Sequence, residues 1–170
     1  MEFAGAVVIA PYSPQWPVEF SRERDRLRCA FGGAPVAIEH IGSTAVPGLG
    51  AKPVIDILLG AASLAVIEAH IGTLGAIGYR YVPEFETTLP QRRYFSKPAG
   101  DAAPVHLHAV ESGGTFWREH LAFRDALRRE AALRAEYLAL KQRLALRFGP
   151  DRAGYTDAKA GFIRGVLDAP

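Results

Sequence analysis

The sequence places a glycine-serine pair a short loop ahead of an aspartate that interrupts an apolar segment. Gly42 has no Cβ and lets the backbone approach a ligand closely, and the Ser43 hydroxyl can donate a hydrogen bond to an anionic oxygen. Asp56 lies within the apolar run 54–59, where an unpaired carboxylate would cost several kcal/mol. The fold must therefore place this carboxylate at a strand end, beside a cation or on a metal. Together the two features predict a phosphate-and-metal site.

A pair of histidines, His106 and His108, alternates with apolar residues in the segment 105–110. Residues at i and i+2 of a strand lie on the same face of a sheet. We therefore expect both imidazoles to converge on one ligand. Their roles as metal ligands, general base or phosphate donors remain open, because the spacing alone does not choose among them.

Several cations near these segments are candidates for holding a phosphate group. Lys52 lies four residues before Asp56 and either pairs with its carboxylate or binds a phosphate. Arg92, Arg93 and Lys97 form a basic cluster around two aromatic residues. We expect this cluster either to bind a triphosphate, chiefly through Arg93, or to lie on the solvent side of an edge strand.

Other polar residues could reach the same pocket from neighbouring segments. Glu39 and His40 directly precede the Gly-Ser pair, and one of them should face the pocket because neighbouring strand residues point to opposite faces. Lys141 and Lys159 lie on helices that otherwise carry apolar stripes. They are expected either to reach over the cleft toward a triphosphate or to lie on the helix flanks.

Apolar periodicity predicts interleaved strands and helices, followed by a run of helices. This order indicates an α+β (mixed α/β) fold, in which a mixed sheet is flanked by helices and followed by a C-terminal helical segment. We predict a single domain over 1–170, with a sheet core at 1–112 and the helices of 113–170 packed on it. The expected strands lie at 7–9, 36–38, 54–59, 79–82, 93–96 and 105–110, and the expected helices start near 16, span 64–74 and occupy three segments after 115.

Composition narrows the class of protein and of ligand. The chain has 170 residues, of which 49% are hydrophobic, and it has one cysteine, so we expect a globular, cytoplasmic protein. No export signal and no uninterrupted apolar segment long enough for a membrane span is visible. Residues 118–170 hold eleven basic and seven acidic side chains. This modest excess is either an ordinary solvated helix face or the mark of a polyanionic partner such as a nucleoside triphosphate or, with less support, RNA.

The same residues resemble the GrpB-like family of the polymerase-β-type nucleotidyltransferase superfamily. The resemblance is carried by the segments 39–44 and 51–56 around the Gly-Ser pair and the aspartate. It extends to 106–108 and 140–141 and covers nearly the whole chain. It implies a nucleotidyltransferase-like core in which Gly42 and Ser43 receive a triphosphate and Asp56 holds a divalent metal. Two such metals would bridge the phosphates, activate an acceptor hydroxyl and neutralise the leaving pyrophosphate.

One position departs from the pattern that the resemblance implies. The superfamily's second acid lies two residues after the first, and this chain has Leu58 there. His106, His108, Glu39 or Glu111 would have to complete the coordination. Imidazole suits zinc or manganese better than magnesium, which prefers oxygen ligands.

Three functions follow as hypotheses. The first is binding of a nucleoside triphosphate with a divalent metal (Mg or Mn, possibly Zn) and transfer of a nucleotidyl group to an unknown acceptor. The second is a nucleotide-binding module without catalysis, and the third is a metal-dependent hydrolase. The predicted catalytic and metal-binding residues are Asp56, His106 and His108, and the predicted nucleotide-binding residues are Gly42, Ser43, Lys52, Arg93 and Lys141.

Overall fold

The structure is a computed structural model that describes residues 6–169. Residues 1–5, on which the expected lack of an export signal partly rests, lie outside the described residues. The strands are β1 (Ala37–Ile41), β2 (Ile55–Ala61), β3 (Arg80–Tyr81), β4 (Arg92–Lys97) and β5 (Val105–Glu111). They form one sheet in the order β1-β2-β5-β4-β3, in which β2 and β5 are parallel and the other neighbours are antiparallel.

Helices flank this sheet and dominate the carboxy-terminal third of the chain. This arrangement confirms the predicted mixed sheet with flanking helices and a C-terminal helical segment. In the described residues, no helix combines the length and the apolar character that crossing a bilayer requires. The helices are α1 (Gln15–Ala30), α2 (Leu64–Glu68), α3 (Ile71–Ala76), α4 (Thr115–Arg129), α5 (Ala131–Phe148) and α6 (Arg152–Leu167), and 3-10 turns occur at Ser43–Ala45 and Pro83–Thr87.

Three predicted elements differ from the structure. The segment 7–9 is not a strand, and only Ala10 forms an isolated bridge, with Ala51. The helix predicted over 64–74 is two short helices, because the His70 imidazole bonds the Val66 carbonyl oxygen at 2.7 Å and two glycines weaken the following turn. Strand β1 continues beyond 38 to Ile41, so Glu39 and His40 are strand residues.

The two faces of strand β2 perform different tasks. Ile55, Ile57 and Leu59 are fully buried in the main core, which also contains residues of α1, α2 and α3. Asp56 and Leu58 alternate with them and therefore lie on the opposite face. Helix α4 covers the Leu58 side of that face, while α5 and α6 pack further along on the loop after β1. The Asp56 end of the face remains open, and the candidate site lies there.

Candidate functional site

A cleft of about 310 Å³ lies between the open end of the sheet and helices α5 and α6. Asp56 and His106 come from the sheet, and Gly42, Ser43 and Thr44 come from the turn that follows β1. The cations in the lining are Lys52, Lys141, Arg152 and Lys159, and Asp56 is the carboxylate in it. The cleft is therefore strongly positive. Its volume is at the lower end of the range of small-molecule sites.

The Gly-Ser turn directly contacts the aspartate. Gly42 has φ +73°, a backbone conformation that favours glycine, and its carbonyl accepts from Ala45 N at 3.1 Å to open the 3-10 turn. A Cβ at this position would lie 2.7 Å from Asp56 Oδ2. Glycine is thus required twice, by the backbone and by the carboxylate. The predicted link between the turn and Asp56 is a physical contact.

Replacing Gly42 by alanine is expected to destabilise the protein and to displace Asp56. The backbone of Gly42, with φ +73° and ψ −178°, lies in a region essentially restricted to glycine and alone costs about 1–3 kcal/mol for a residue with a Cβ. Gly48→Ala is the matched control, because Gly48 has φ +79° and no atom within 4 Å of its ideal Cβ. Urea unfolding should show a clearly larger loss for Gly42→Ala. Equal losses for the two variants would contradict the contact with Asp56.

His40 supports the turn from behind the sheet. Its Nε2 lies 3.0 Å from Thr44 Oγ1, and that hydroxyl donates to the Val54 carbonyl oxygen at 3.0 Å. Because a hydroxyl has one proton, His40 Nε2 must be the donor to Thr44. The ring also stacks on Phe20 at 4.7 Å, on the face opposite to Asp56. Burial lowers the pKa of His40 to about 4, so the imidazole is neutral at physiological pH.

Protonation of His40 should make stability depend on pH. Its pKa is lowered in the folded chain, so the unfolded chain binds the proton first as the pH falls below 6.5. The wild type should lose about 2 kcal/mol of unfolding free energy through this group between pH 8 and 5. The stability difference between wild type and His40→Gln should narrow by that amount. Phe20→Leu removes the stack but keeps the proton site, so this variant should retain most of the pH dependence of the wild type. A constant difference for His40→Gln would refute this account.

Glu39, rather than His40, lies on the Asp56 face of β1, opposite Leu58. It does not complete the site, because its carboxylate pairs with Arg124 of α4 at 2.6 Å. Arg124 also donates to the His40 carbonyl oxygen, and Arg128 donates to the Ala45 carbonyl oxygen. These contacts fix α4 to β1 and to the Gly-Ser turn.

Asp56 is held by both predicted histidines. Asp56 Oδ1 lies 3.3 Å from His108 Nε2 and 3.6 Å from His106 Nδ1. Burial alone would raise the pKa of Asp56, but the two imidazoles outweigh it and hold the pKa well below its usual range. The carboxylate is therefore ionised at neutral pH. Burial also lowers the pKa of His108.

The donor set around Asp56 does not match a two-metal centre. Leu58 is completely buried and packs with Phe116, Trp117 and Leu121 of α4, so no second carboxylate is available on that strand. Within residues 6–169, no three His, Cys, Asp or Glu side chains are arranged to hold a metal ion. The nitrogens that would ligate a metal are instead directed at Asp56 Oδ1. Asp56 Oδ2 faces the Gly42 turn.

Two lysines from the C-terminal helices enter the cleft. Lys141 is 2% exposed, donates to the Gly50 carbonyl oxygen and lies 5.1 Å from the Tyr137 ring centroid. Burial, with a smaller effect of Lys159, lowers the pKa of Lys141 to about 7. Lys159 lies 4.5 Å from the Tyr155 ring centroid, and burial lowers its pKa to about 8. Both ammonium groups are thus poorly solvated cations next to aromatic faces.

Arg93 lies outside this cleft. It follows Arg92 on β4 and points to the opposite face, where it pairs with Glu68 at 2.7 Å and Glu86 at 3.5 Å. Lys97 lies on the same face as Arg93, at the other end of the strand, and its Nζ lies 2.8 Å from Glu23 Oε1. Of the basic cluster, it is Arg92 that contacts the site, through His108 at 3.1 Å. Arg152 and Thr156 also line the cleft and carried no recognisable signal in the sequence.

Comparison with known proteins gives the family. Residues 6–169 match the family model described as GrpB protein. The chain belongs to the GrpB family. The glutamate-rich protein GrpB of Alkalihalophilus pseudofirmus is 33% identical over 168 residues, which cover 96% of this chain and 95% of that protein. A UPF0157 protein of Bacillus subtilis is 35% identical over 93% of this chain, which spans 45% of that relative's length.

Several solved structures are similar to this GrpB family member. The crystal structure of GrpB from Enterococcus faecalis has a TM-score of 0.81 and 32% identity, with 94% of each chain covered. A cytoplasmic RNA terminal U-transferase gives a TM-score of 0.57 at 13% identity, over 78% of this chain and 41% of that chain. The Cid1 poly(U) polymerase bound to MgATP gives 0.56 at 14% identity, over 81% and 44%. The fold is therefore nucleotidyltransferase-like.

Proposed function

We propose that this GrpB family member binds a nucleoside triphosphate, with the polyphosphate between the Gly42-Ser43 turn and the lysines of α5 and α6. The observation that carries the proposal is the charge of the cleft, whose lining by residues 6–169 combines four basic side chains with one carboxylate, Asp56. The nucleotidyltransferase-like fold supports the same reading, and a structural neighbour of that fold was solved with MgATP. The ligand proposed is the nucleotide, and no acceptor for a nucleotidyl group is proposed.

Two lysines, the buried Lys141 and the half-buried Lys159, explain why the expected ligand is a polyanion. Neither Lys141 nor Lys159 has a carboxylate within 4.0 Å among residues 6–169. A buried cation without a counter-charge is costly, and this cost is recovered when an anion arrives. Phosphate oxygens form charge-assisted hydrogen bonds with such ammonium groups. The ligand-free protein is thus less stable than it would be with apolar residues at these two positions.

A single divalent cation fits the donor set better than two. Magnesium is commonly held by one or two carboxylates together with substrate phosphates, and Asp56 Oδ2 offers one such oxygen beside the Gly42 turn. Such an ion, brought by the nucleotide, would neutralise phosphate charge. The hydrogen bond of His108 to Asp56 Oδ1, with His106 Nδ1 3.6 Å from the same oxygen, favours an orienting role for the imidazoles over metal ligation. A hydrolase centred on Asp56, His106 and His108 is correspondingly less well supported.

A nucleotide-binding module without catalysis is the second candidate function. Its support is Leu58, which replaces the second acid and is sealed beneath α4. Binding of a triphosphate without pyrophosphate release across a panel of acceptors would favour the module. Release of pyrophosphate that depends on one acceptor would favour a transferase.

Calorimetric titration with the four common nucleoside triphosphates, each with and without magnesium, tests the proposal. We expect binding of a triphosphate that is at least about tenfold tighter than that of its monophosphate, since each further charge-assisted contact adds at least 1.4 kcal/mol. Titration with tripolyphosphate measures how much of the affinity comes from the phosphates alone. Lys159→Met should weaken binding, and Arg143→Met, an exposed cation on α5, should not. Equal affinity for triphosphate and monophosphate would contradict the proposal.

A further inference from the structure

Arg92 contacts the candidate site from behind, without lining the cleft. Its Nη1 lies 3.1 Å from His108 Nδ1, and His108 Nε2 lies 3.3 Å from Asp56 Oδ1. The three side chains therefore form a continuous hydrogen-bonded row across strands β4, β5 and β2. The row ends at Asp56, whose carboxylate lines the cleft.

The chemistry of the guanidinium fixes the direction of every hydrogen bond in this row. Arginine can only donate, so His108 Nδ1 must accept. His108 then carries its proton on Nε2 and donates it to Asp56 Oδ1. In this tautomer neither nitrogen has a free lone pair for a metal or for a substrate proton. The role left to His108 is to hold Asp56.

The surroundings of Arg92 are unusual for a half-buried cation. Its Cζ lies 5.1 Å from the ring centroid of Tyr94, 5.8 Å from that of Phe116 and 5.9 Å from that of Phe85. Among residues 6–169, no carboxylate lies within 4.0 Å of Arg92, whereas the neighbouring Arg93 pairs with Glu68. Aromatic faces thus hold the guanidinium in place, and its charge is directed at the imidazole.

We propose that Arg92 is a positioning residue for Asp56, which it orients by holding His108 as the Nε2-H tautomer. With Oδ1 engaged by His108, Asp56 keeps Oδ2 directed at the Gly42 turn, where a cation that accompanies a nucleotide would bind. The arrangement reverses the usual support of a histidine, in which a carboxylate orients the imidazole. This inference rests on the proposed function for its consequence in binding. The tautomer itself is independent of any ligand.

Nitrogen-15 NMR of the histidine side chains tests the tautomer in the ligand-free protein. The wild type should show His108 protonated on Nε2 with an unprotonated Nδ1. Arg92→Met should weaken this preference, which then depends on Asp56 Oδ1 alone, whereas Arg92→Lys, which can still donate to Nδ1, should keep it in full. Arg93→Met is the matched control, because its side chain points to the opposite sheet face, and it should leave His108 unchanged. A wild-type His108 protonated on Nδ1 would overturn the proposal whether or not any variant folds.

Nucleotide titration tests the consequence for Asp56. In Arg92→Met, the magnesium-dependent part of nucleoside triphosphate affinity should fall about 10- to 100-fold, as is typical when the partner that orients a ligating group is lost. Affinity for metal-free tripolyphosphate should not change. An unchanged tautomer together with unchanged magnesium dependence in Arg92→Met would refute the positioning role. If the wild type binds no nucleotide, the proposed function fails, and the tautomer comparison alone decides the role of Arg92.

Discussion

Asp56→Asn should remove the magnesium dependence of nucleoside triphosphate binding and should strengthen binding in the absence of metal. Asparagine keeps the shape of the side chain and can still accept from His108, but it cannot provide a carboxylate oxygen for a cation. With metal, we expect affinity to fall about 100-fold, at the upper end of the losses seen when metal sites are perturbed. Without metal, the variant lacks the negative charge of Asp56, which opposes the phosphates in the cleft. These opposite signs distinguish loss of a ligating group from general damage to the site.

Titration calorimetry with and without magnesium measures both effects in one experiment. Asp125→Asn is the control, since Asp125 is a carboxylate on α4 outside the cleft that pairs with Arg124. It should change neither affinity. If Asp56→Asn retains the magnesium dependence of the wild type, Asp56 does not bind the cation that accompanies the nucleotide.

Lys141→Met should stabilise the ligand-free protein and weaken nucleotide binding. Burial lowers the pKa of Lys141 from 10.5 to about 7, which corresponds to a penalty of several kcal/mol for keeping this residue inside at neutral pH. Loss of its hydrogen bond to the Gly50 carbonyl and of its contact with the Tyr137 ring offsets about half of that gain. We expect a net increase of about 1–3 kcal/mol in unfolding free energy. Triphosphate affinity should fall roughly 10- to 100-fold with one charge-assisted contact removed.

The pH dependence of this stabilisation identifies its cause. Because the folded-state pKa of Lys141 is lowered, the penalty is fully present below pH 7 and disappears as the pH rises toward 10.5. The advantage of Lys141→Met in urea unfolding should therefore shrink between pH 7 and 10. Arg143→Met, on the exposed side of the same helix, should show neither the stabilisation nor the loss of affinity. A destabilised Lys141→Met with normal affinity would show that the lysine is a structural residue.

The turn, the aspartate and the histidine pair could be recognised from the sequence, because each depends on local rules. Alternation in β5 predicts that the two histidines share a face, and the register of β2 against β5 then places Asp56 opposite His106, within 3.6 Å of both imidazoles. The distinction between Arg92 and Arg93 is different, because it requires the register of β4 against β5, with Tyr94 opposite His108. Two arginines adjacent in sequence therefore perform unrelated tasks.

Burial by distant helices could not be predicted from local patterns. The sequence shows that Leu58 stands where the second acid is expected. Its burial against Trp117, however, depends on how α4 packs on the sheet. Lys141 looks like an ordinary cation on an apolar-striped helix, and its low exposure arises only when α5 and α6 close over the loop after β1. His40 lies two residues before Gly42, and the register of β1 on β2 turns it to the face opposite Asp56. Tertiary packing, more than local propensity, thus decides the environment of Leu58 and Lys141.

Proton uptake on nucleotide binding is the most direct test of the central claim. Lys52, Lys141, Arg152, Lys159, Asp56 and His106 face the cleft, and Lys141 and Lys159 have pKa values of about 7 and about 8. A polyphosphate beside them would raise both values, so calorimetric titration at pH 8 in buffers of different ionisation enthalpy should show uptake of about one proton. Lys141→Met and Lys159→Met should each reduce that uptake. Absence of binding, or binding without proton exchange in the wild type, would contradict the account.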